Sequence, residues 1–171
     1  GHGADAPGCL ALPDGKGRRQ VTARGLAVLA AASLVALRVA ACELVLTEHR
    51  SGTLLQVLPL DPTAPELRIA FEHSVLGTTV VDRYRFTPSA RLVEERFDGQ
   101  GNGLPHTAGP GESLQRSGTG WRLLTDRAVH PLVVRPLPQQ RMRLQLGQRE
   151  WLLADFSSQA IELTTRGCPA K

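Results

Sequence analysis

A histidine and a carboxylate occur among apolar residues in two consecutive strand-like runs, a combination found in structural hydrogen-bonded pairs and in catalytic sites. His73 shares the odd-numbered positions of Leu67–Val75 with apolar side chains, and Asp82 shares the even-numbered positions of Val80–Phe86 with apolar and aromatic ones. Because side chains alternate between the faces of a strand, both polar groups are predicted on a core-facing side. A buried carboxylate without a partner is costly, so we expect Asp82 to set the tautomer or charge of His73.

Antiparallel pairing of the two runs would bring these groups together in either of two registers. A loop at Leu76–Gly77 places His73 opposite Val80, and a loop at 76–79 places it opposite Asp82. In both registers the two side chains lie directly or diagonally across from each other. The pair is then either a structural contact within the sheet or part of a functional site.

Ser74 adds the third residue type of a catalytic triad, which makes a periplasmic hydrolase using His73 and Asp82 an alternative. Adjacent residues of a strand point to opposite faces, and the sequence has no Gly-x-Ser-x-Gly motif, so we predict that the chain is not an enzyme. No cofactor is predicted. Nor is a metal site, because the candidate ligands lack a recognisable close spacing; these are His73, Asp82, His106 and His130.

The glycine-rich stretch 98–106 is a second candidate segment. Gly101 and Gly103 alternate with other residues, and Leu104 and Pro105 follow. Alternating glycines allow positive φ values and a close approach of the backbone to a ligand. The spacing differs from that of a dinucleotide-binding loop, and no helix is predicted after it. The stretch is either a wide turn or a contact for a ligand or partner.

Short strand-like runs must position these segments. From Cys42 onward the runs are separated by Gly, Pro, Asp and Ser, and no long segment has a helical period. This pattern predicts an all-β domain, a small antiparallel β-sandwich or a barrel-like fold. The predicted strands are Glu43–Glu48, Thr53–Leu60, Glu66–Val75, Thr78–Thr87, Arg91–Phe97, Ser113–Gln115, Trp121–Leu124, Pro131–Val134, Arg141–Leu146, Glu150–Leu153 and Ala160–Thr164.

Length and charge restrict the possible partners. A chain of 171 residues with 42% hydrophobic content is large enough for one domain with a core and a short appendage. The net charge is +4, but the positive excess lies mainly before Cys42. Because the remainder is nearly neutral and poor in aromatic residues, nucleic-acid binding is not predicted.

The amino-terminal part has the layout of an export signal. An uncharged apolar run of 13 residues, Gly25–Leu37, follows four basic residues. It is long enough for a signal sequence and shorter than the roughly 20 residues that cross a bilayer. We predict three parts: a basic cytoplasmic tail or expression remnant at 1–24, a signal or anchor helix at 25–42, and an extracytoplasmic β-domain at 43–171.

Two modes of tethering follow from the residues around Cys42. Residues 39–42 resemble the lipobox of bacterial lipoproteins, which makes Cys42 a candidate for lipidation, although Arg38 is unusual before such a box. The alternative is an uncleaved signal anchor. Both predict a periplasmic domain held at the cytoplasmic membrane, with the outer membrane possible after lipidation. A disulfide between Cys42 and Cys168 is allowed in an oxidising compartment, but lipidation of Cys42 would exclude it.

The two candidate segments together resemble a bacterial family, domain of unknown function 1850. The resemblance covers roughly Cys42 to Arg166, and Asp82 stands where the family tends to have an acidic residue. Leu76 and Thr79 depart from the family pattern, which has an acidic residue and a proline there. The motif residues that carry the resemblance are His73, Ser74, Val75, Gly101, Gly103, Leu104 and Pro105.

Members of that family look like membrane-anchored exported proteins encoded beside TRAP transporters of the TAXI type. The resemblance therefore implies a periplasmic accessory or binding protein of such a transporter, with its permease or solute receptor as the partner. A structural lipoprotein is a further alternative. The expected ligand or partner contacts are His73, Ser74, Asp82, Gly101, Gly103, Leu104 and Pro105.

Overall fold

In the computed structural model, the residues described are 41–99, 101 and 103–169. They form an all-β domain of two antiparallel sheets, which confirms the predicted fold class. Most of the predicted segment 25–42, and all of 1–24, lie outside these residues. Within the described part, no helix combines the length and the apolar composition needed to cross a membrane.

Eleven strands build the two sheets, and each corresponds to one of the predicted runs. The smaller sheet has the order β2-β1-β11-β8, and the larger has the order β10-β9-β3-β4-β5-β7-β6. The strands are β1 Glu43–Glu48, β2 Leu54–Pro59, β3 Glu66–Glu72, β4 Thr79–Phe86, β5 Ala90–Phe97, β6 Ser113–Ser117, β7 Gly120–Ala128, β8 Leu132–Val134, β9 Arg143–Leu146, β10 Arg149–Leu152 and β11 Ile161–Arg166. Two short 3-10 helices cover Pro138–Gln140 and Leu153–Asp155.

Two apolar clusters lie on one side of the larger sheet, here called its inner face. The main core joins this face to the smaller sheet and includes fully buried leucines such as Leu44 and Leu144. Each such leucine contributes roughly 1.5–3 kcal/mol through burial. A second cluster consists of Val80, Phe97, Leu104 and Leu123, with partly buried neighbours.

The strand register places a polar pair on the inner face between these clusters. Strands β3, β4, β5 and β7 carry successive rows of directly opposed residues. The rows are Leu67–Tyr84–Leu92–Arg127, Ile69–Asp82–Glu95–Leu123 and Phe71–Val80–Phe97–Trp121. Asp82 and Glu95 therefore face each other. An apolar and aromatic row lies on one side of them, and the row on the other side also contains Tyr84 and Arg127.

A disulfide joins Cys42, just before β1, to Cys168, just after β11. The Cα atoms of the two cysteines are 4.2 Å apart, and 126 residues separate them in sequence. This is the bond that the sequence allows in an oxidising compartment. Because it engages the Cys42 sulfur, lipidation of Cys42 is incompatible with this structure.

Candidate functional site

The turn that carries the His-Ser-Val motif begins two residues earlier than predicted. Strand β3 ends at Glu72, and the His73 backbone N–H donates to the Thr78 carbonyl at 2.8 Å. The Gly77 N–H donates to the His73 carbonyl at 2.9 Å, and Gly77 has a φ of 63°. Residues 74–77 thus form the turn, and His73 lies opposite Thr78 instead of Val80 or Asp82.

Both predicted registers are therefore wrong, and so is the predicted pairing of His73 with Asp82. Asp82 is directly opposite Ile69, four residues from His73 along the strand. At about 3.3 Å per residue, that separation is roughly 13 Å. A register shift of two residues leaves every side chain on the same face, so the apolar pattern could not distinguish these alternatives.

His73 is held by its own turn. Its Nδ1 atom accepts backbone N–H groups from Val75 and Leu76, each at 3.3 Å. Since Nδ1 is an acceptor, the hydrogen-bond geometry assigns the proton of the neutral imidazole to Nε2. A Cβ atom added at Gly103 would lie 3.3 Å from that Nε2, and Gly103 has a φ of 88°. Backbone conformation and limited space both favour glycine at this position.

The glycine loop also packs against the turn through Gly101. A Cβ atom added there would lie 2.9 Å from a methyl carbon of Leu76. Leu104, which is buried in the second cluster, donates its backbone N–H to the Gly101 carbonyl at 3.1 Å. The two motifs identified from sequence are therefore in contact, although 27 residues lie between His73 and Gly101.

A cavity of about 230 Å³, here called the His73 cavity, lies where these segments meet. Of the predicted contacts, His73, Ser74, Gly103 and Leu104 line it. Gly101 and Pro105 belong to the adjoining loop, and Asp82 does not line the cavity. The remaining lining residues are Phe71, Val80, Glu95 and Gln140. Glu95 and Gln140 were not predicted as site residues. Only Glu95 could have been found from the sequence, because it alternates with the buried Val93 and Phe97 along β5.

The Asp82–Glu95 pair places two carboxyl groups opposite each other beside this cavity. Asp82 Oδ2 accepts a hydrogen bond from the Tyr84 hydroxyl at 3.1 Å, whereas its buried Oδ1 has no hydrogen-bond partner among the described residues. Burial, reinforced by the Glu95 carboxylate, raises the pKa of Asp82 to about 7. Burial likewise raises the pKa of Glu95. Asp82 therefore retains its proton close to neutral pH, because burial disfavours its charged form and the Glu95 carboxylate is a nearby like charge.

Glu94 points to the opposite, outer face of the same sheet, where arginines surround it. Its carboxylate accepts hydrogen bonds from Arg83 at 3.1 Å, from Arg122 at 2.8 Å and from Arg96, and its side chain is 6% exposed. Burial alone would raise the pKa of Glu94, but the hydrogen bonds from Arg122 and Arg96 lower it to about 2. This network was not predicted from the sequence.

Metal sites and triad contacts are considered only for the described residues. Within residues 41–99, 101 and 103–169, no group of three or more His, Cys, Asp or Glu side chains could hold a metal ion. In that same part of the chain, no serine or threonine hydroxyl is hydrogen-bonded to the His73 imidazole. The contacts on which the hydrolase alternative depended are therefore not formed.

Comparison with known proteins identifies the family. The model of the family described as domain of unknown function (DUF1850) matches residues 67–153, slightly more than half of the chain. The match includes the His73 turn, Asp82, Glu95 and the glycine loop. No curated protein and no solved structure matches the chain. The chain thus belongs to the DUF1850 family.

Proposed function

We propose that this chain is a membrane-tethered periplasmic binding protein that serves as an accessory of a TRAP-type solute transporter of the TAXI class. The observation that carries the proposal is that two distant sequence motifs form one cavity of about 230 Å³. Drug-sized ligands occupy cavities of roughly 300–1,000 Å³. The occupant is therefore a small solute or a single side chain of a partner protein.

The lining of the His73 cavity supports binding. His73 offers a hydrogen-bond donor at Nε2, Glu95 offers an acceptor, and Phe71 and Leu104 supply apolar surface. A few convergent polar groups in an apolar setting are typical of binding sites, because the polar groups orient the occupant and the apolar surface retains it. Ser74 adds a hydroxyl at the rim.

The periplasmic location is supported by the Cys42–Cys168 disulfide, since such bonds persist mainly in oxidising compartments. The apolar run Gly25–Leu37 after basic residues supports the membrane tether. Because the disulfide engages the Cys42 sulfur, the tether we propose is the uncleaved signal anchor. The transporter as partner rests on the family resemblance alone.

The proposal is tested by purifying the tagged full chain from its native membrane and identifying the bound proteins. We expect a TRAP permease or its solute receptor to co-purify. Gly103→Ala should weaken this association, because the added methyl group lies against His73 Nε2. Gly111→Ala is the matched control: Gly111 also has a positive φ, 75°, but its Cβ would meet nothing within 4 Å.

A deletion strain supplies the functional measurement. We expect reduced uptake of the transported solute, restored by the parent chain and by Gly111→Ala but less well by Gly103→Ala. Normal uptake in the deletion strain, together with no detectable complex, would remove the transporter from the proposal. Equal behaviour of the two glycine variants would remove the His73 cavity from it.

A further inference from the structure

The outer face of the larger sheet carries a shallow cavity of about 200 Å³, here called the Arg68 depression. It lies where the short side chain of Val81 on β4 is bordered by the longer side chains of neighbouring strands. It shares no lining residue with the His73 cavity. The lining residues are Arg68, Val81, Arg83, Glu94, Arg96 and Gln145.

The strand register explains why these side chains meet. Arg68 of β3 lies directly opposite Arg83 of β4, and Arg83 lies opposite Glu94 of β5. In the adjacent row of the same face, Val81 lies opposite Arg96. All of these positions alternate along their strands with the inner-face residues described above, so their side chains share the outer face.

Guanidinium groups outnumber carboxylates in the network around this depression. Two carboxylates, those of Glu66 and Glu94, accept hydrogen bonds from four arginines. These arginines are Arg83, Arg85, Arg96 and Arg122. Arg68 adds a fifth guanidinium group, and it has no ion-pair partner among the described residues. Five positive charges therefore face two negative ones.

Arg68 is the residue of this network whose charge is least compensated. It is exposed, and it lies between Arg83 on one side and the uncharged Gln145 on the other. Like charges directly opposite each other destabilise a sheet. The network also has more donors than acceptors, because the buried Nε of Arg122 has no hydrogen-bond partner within the described part of the chain. An anion in the depression would supply acceptors and relieve the repulsion between Arg68 and Arg83.

We infer that the Arg68 depression binds a phosphate group. Phosphate groups on proteins carry a charge of roughly −1.5 to −2 at neutral pH, which suits the excess of guanidinium groups better than the single charge of a carboxylate. Guanidinium groups also bind phosphate oxygens in a bidentate manner. Glu94 lines the same depression and repels an anion, but Arg83 lies between Glu94 and Arg68, so the phosphate is held on the Arg68 side. This site does not depend on the proposed function.

Equilibrium dialysis of the full chain against radiolabelled inorganic phosphate, at constant ionic strength, tests the inference. We expect saturable binding that an equal concentration of acetate does not displace. Vesicles then distinguish a lipid headgroup from a soluble phosphate. Displacement of the label by phosphatidylcholine vesicles that contain phosphatidic acid, but not by phosphatidylcholine alone, would assign the site to a headgroup. Saturable binding without displacement by either vesicle would assign it to a soluble phosphate.

Two matched variants locate the site. Arg68→Gln should weaken phosphate binding at least about tenfold, as expected for lost charge-assisted hydrogen bonds. It breaks no ion pair, so its melting temperature without phosphate should not fall. Arg50→Gln removes another exposed arginine, in the turn after β1 of the smaller sheet, and should leave phosphate binding unchanged. Absence of saturable phosphate binding by the parent overturns the inference. Equal weakening by the two variants, or equal displacement by acetate, also overturns it.

Discussion

Glu94 and Glu95 are neighbours on β5, yet the two faces of the sheet give their carboxyl groups opposite surroundings. On the outer face, three arginines donate to Glu94, and its pKa falls to about 2. On the inner face, Glu95 opposes Asp82, and burial together with the Glu95 carboxylate raises the pKa of Asp82 to about 7. One strand therefore carries a stabilising charge network and a proton-holding pair at consecutive positions.

Substitution of Glu94 on the outer face is expected to reduce stability most. Glu94→Gln removes the carboxylate that three arginines share, so we expect a loss of about 3 kcal/mol in the free energy of unfolding at pH 7. The partial exposure of the arginines keeps the value at the low end of that for buried pairs. Urea denaturation measures it. A loss below about 0.5 kcal/mol, the level of an ordinary surface substitution, would show that the network is not stabilising.

The pH dependence of Glu94→Gln shows whether the contribution of Glu94 to stability is electrostatic. In the folded chain, Glu94 has a lowered pKa, so it contributes stability above the unfolded-state value of about 4.5, which is lost as the pH falls toward 2. The deficit of Glu94→Gln relative to the parent should therefore shrink as the pH falls below 4.5. A constant deficit at all pH values would contradict an electrostatic origin.

On the inner face, the ionisation of Asp82 should lower the free energy of unfolding as the pH rises, the opposite of the effect of Glu94. Folded Asp82 keeps its proton up to about pH 7, whereas the unfolded chain releases it near 3.8, so this group costs stability as the pH rises between those values. Asp82→Asn should therefore be about 4 kcal/mol more stable than the parent at pH 8 and nearly equal to it at pH 3.

Glu95→Gln is the control for Asp82→Asn. It removes the second cause of the raised Asp82 pKa, so the remaining loss of stability should occur at a lower pH. Denaturation measured from pH 3 to pH 8 distinguishes the parent from both variants. The stability of the parent relative to Asp82→Asn should fall between pH 4 and pH 7. If it does not fall, Asp82 does not hold its proton in the folded chain.

A smaller effect is expected within the inner-face cavity. Gly103→Ala and Gly111→Ala both place alanine at a positive φ, which costs about 1 kcal/mol. Gly103→Ala should cost roughly a further 1 kcal/mol, because its methyl group displaces the His73 imidazole. Thermal unfolding measures the difference in stability between the two variants. The NMR chemical shifts of the His73 imidazole nitrogens should change in Gly103→Ala only. Equal melting temperatures and spectra would contradict the contact.

The smallest effect tests whether the two faces are independent. Glu94 and Asp82 have no hydrogen-bond partner in common among the described residues. The effects of Glu94→Gln and Asp82→Asn should therefore add in the double variant to within about 0.5 kcal/mol at pH 7. A larger coupling energy would mean that the strand transmits charge effects between its faces.

The sequence predicted the strands better than their pairing. Alternation and turn residues located all eleven strands, because both signals are local. The register of β3 and β4 was missed because two turn lengths preserved the same faces. On β5, the register shift around Val93 interrupts the alternation and buries Leu92, Val93 and Glu94 in succession, which hid the role of Glu94.

The sequence predicted the two segments of the candidate site, but it did not predict that they are in contact. The sequence indicated the His73 turn and the glycine loop separately, and four of the predicted residues line the cavity. Their meeting depends on the packing of Leu76 and Leu104 across the sheet, which no local pattern encodes. The partner of Asp82 was missed for the same reason as the register, since Glu95 lies on the next strand.

The Cys42–Cys168 bond has a mechanical consequence for a chain tethered at its amino end. Strand β1 pairs with β11 from Glu43 opposite Arg166 onward, so a pull on the preceding segment would begin to unzip the sheet there. The disulfide lies at this end of the β1–β11 pair and transmits the pulling force from Cys42 to Cys168. If the domain is tethered as proposed, reducing agents should lower the force at which it opens.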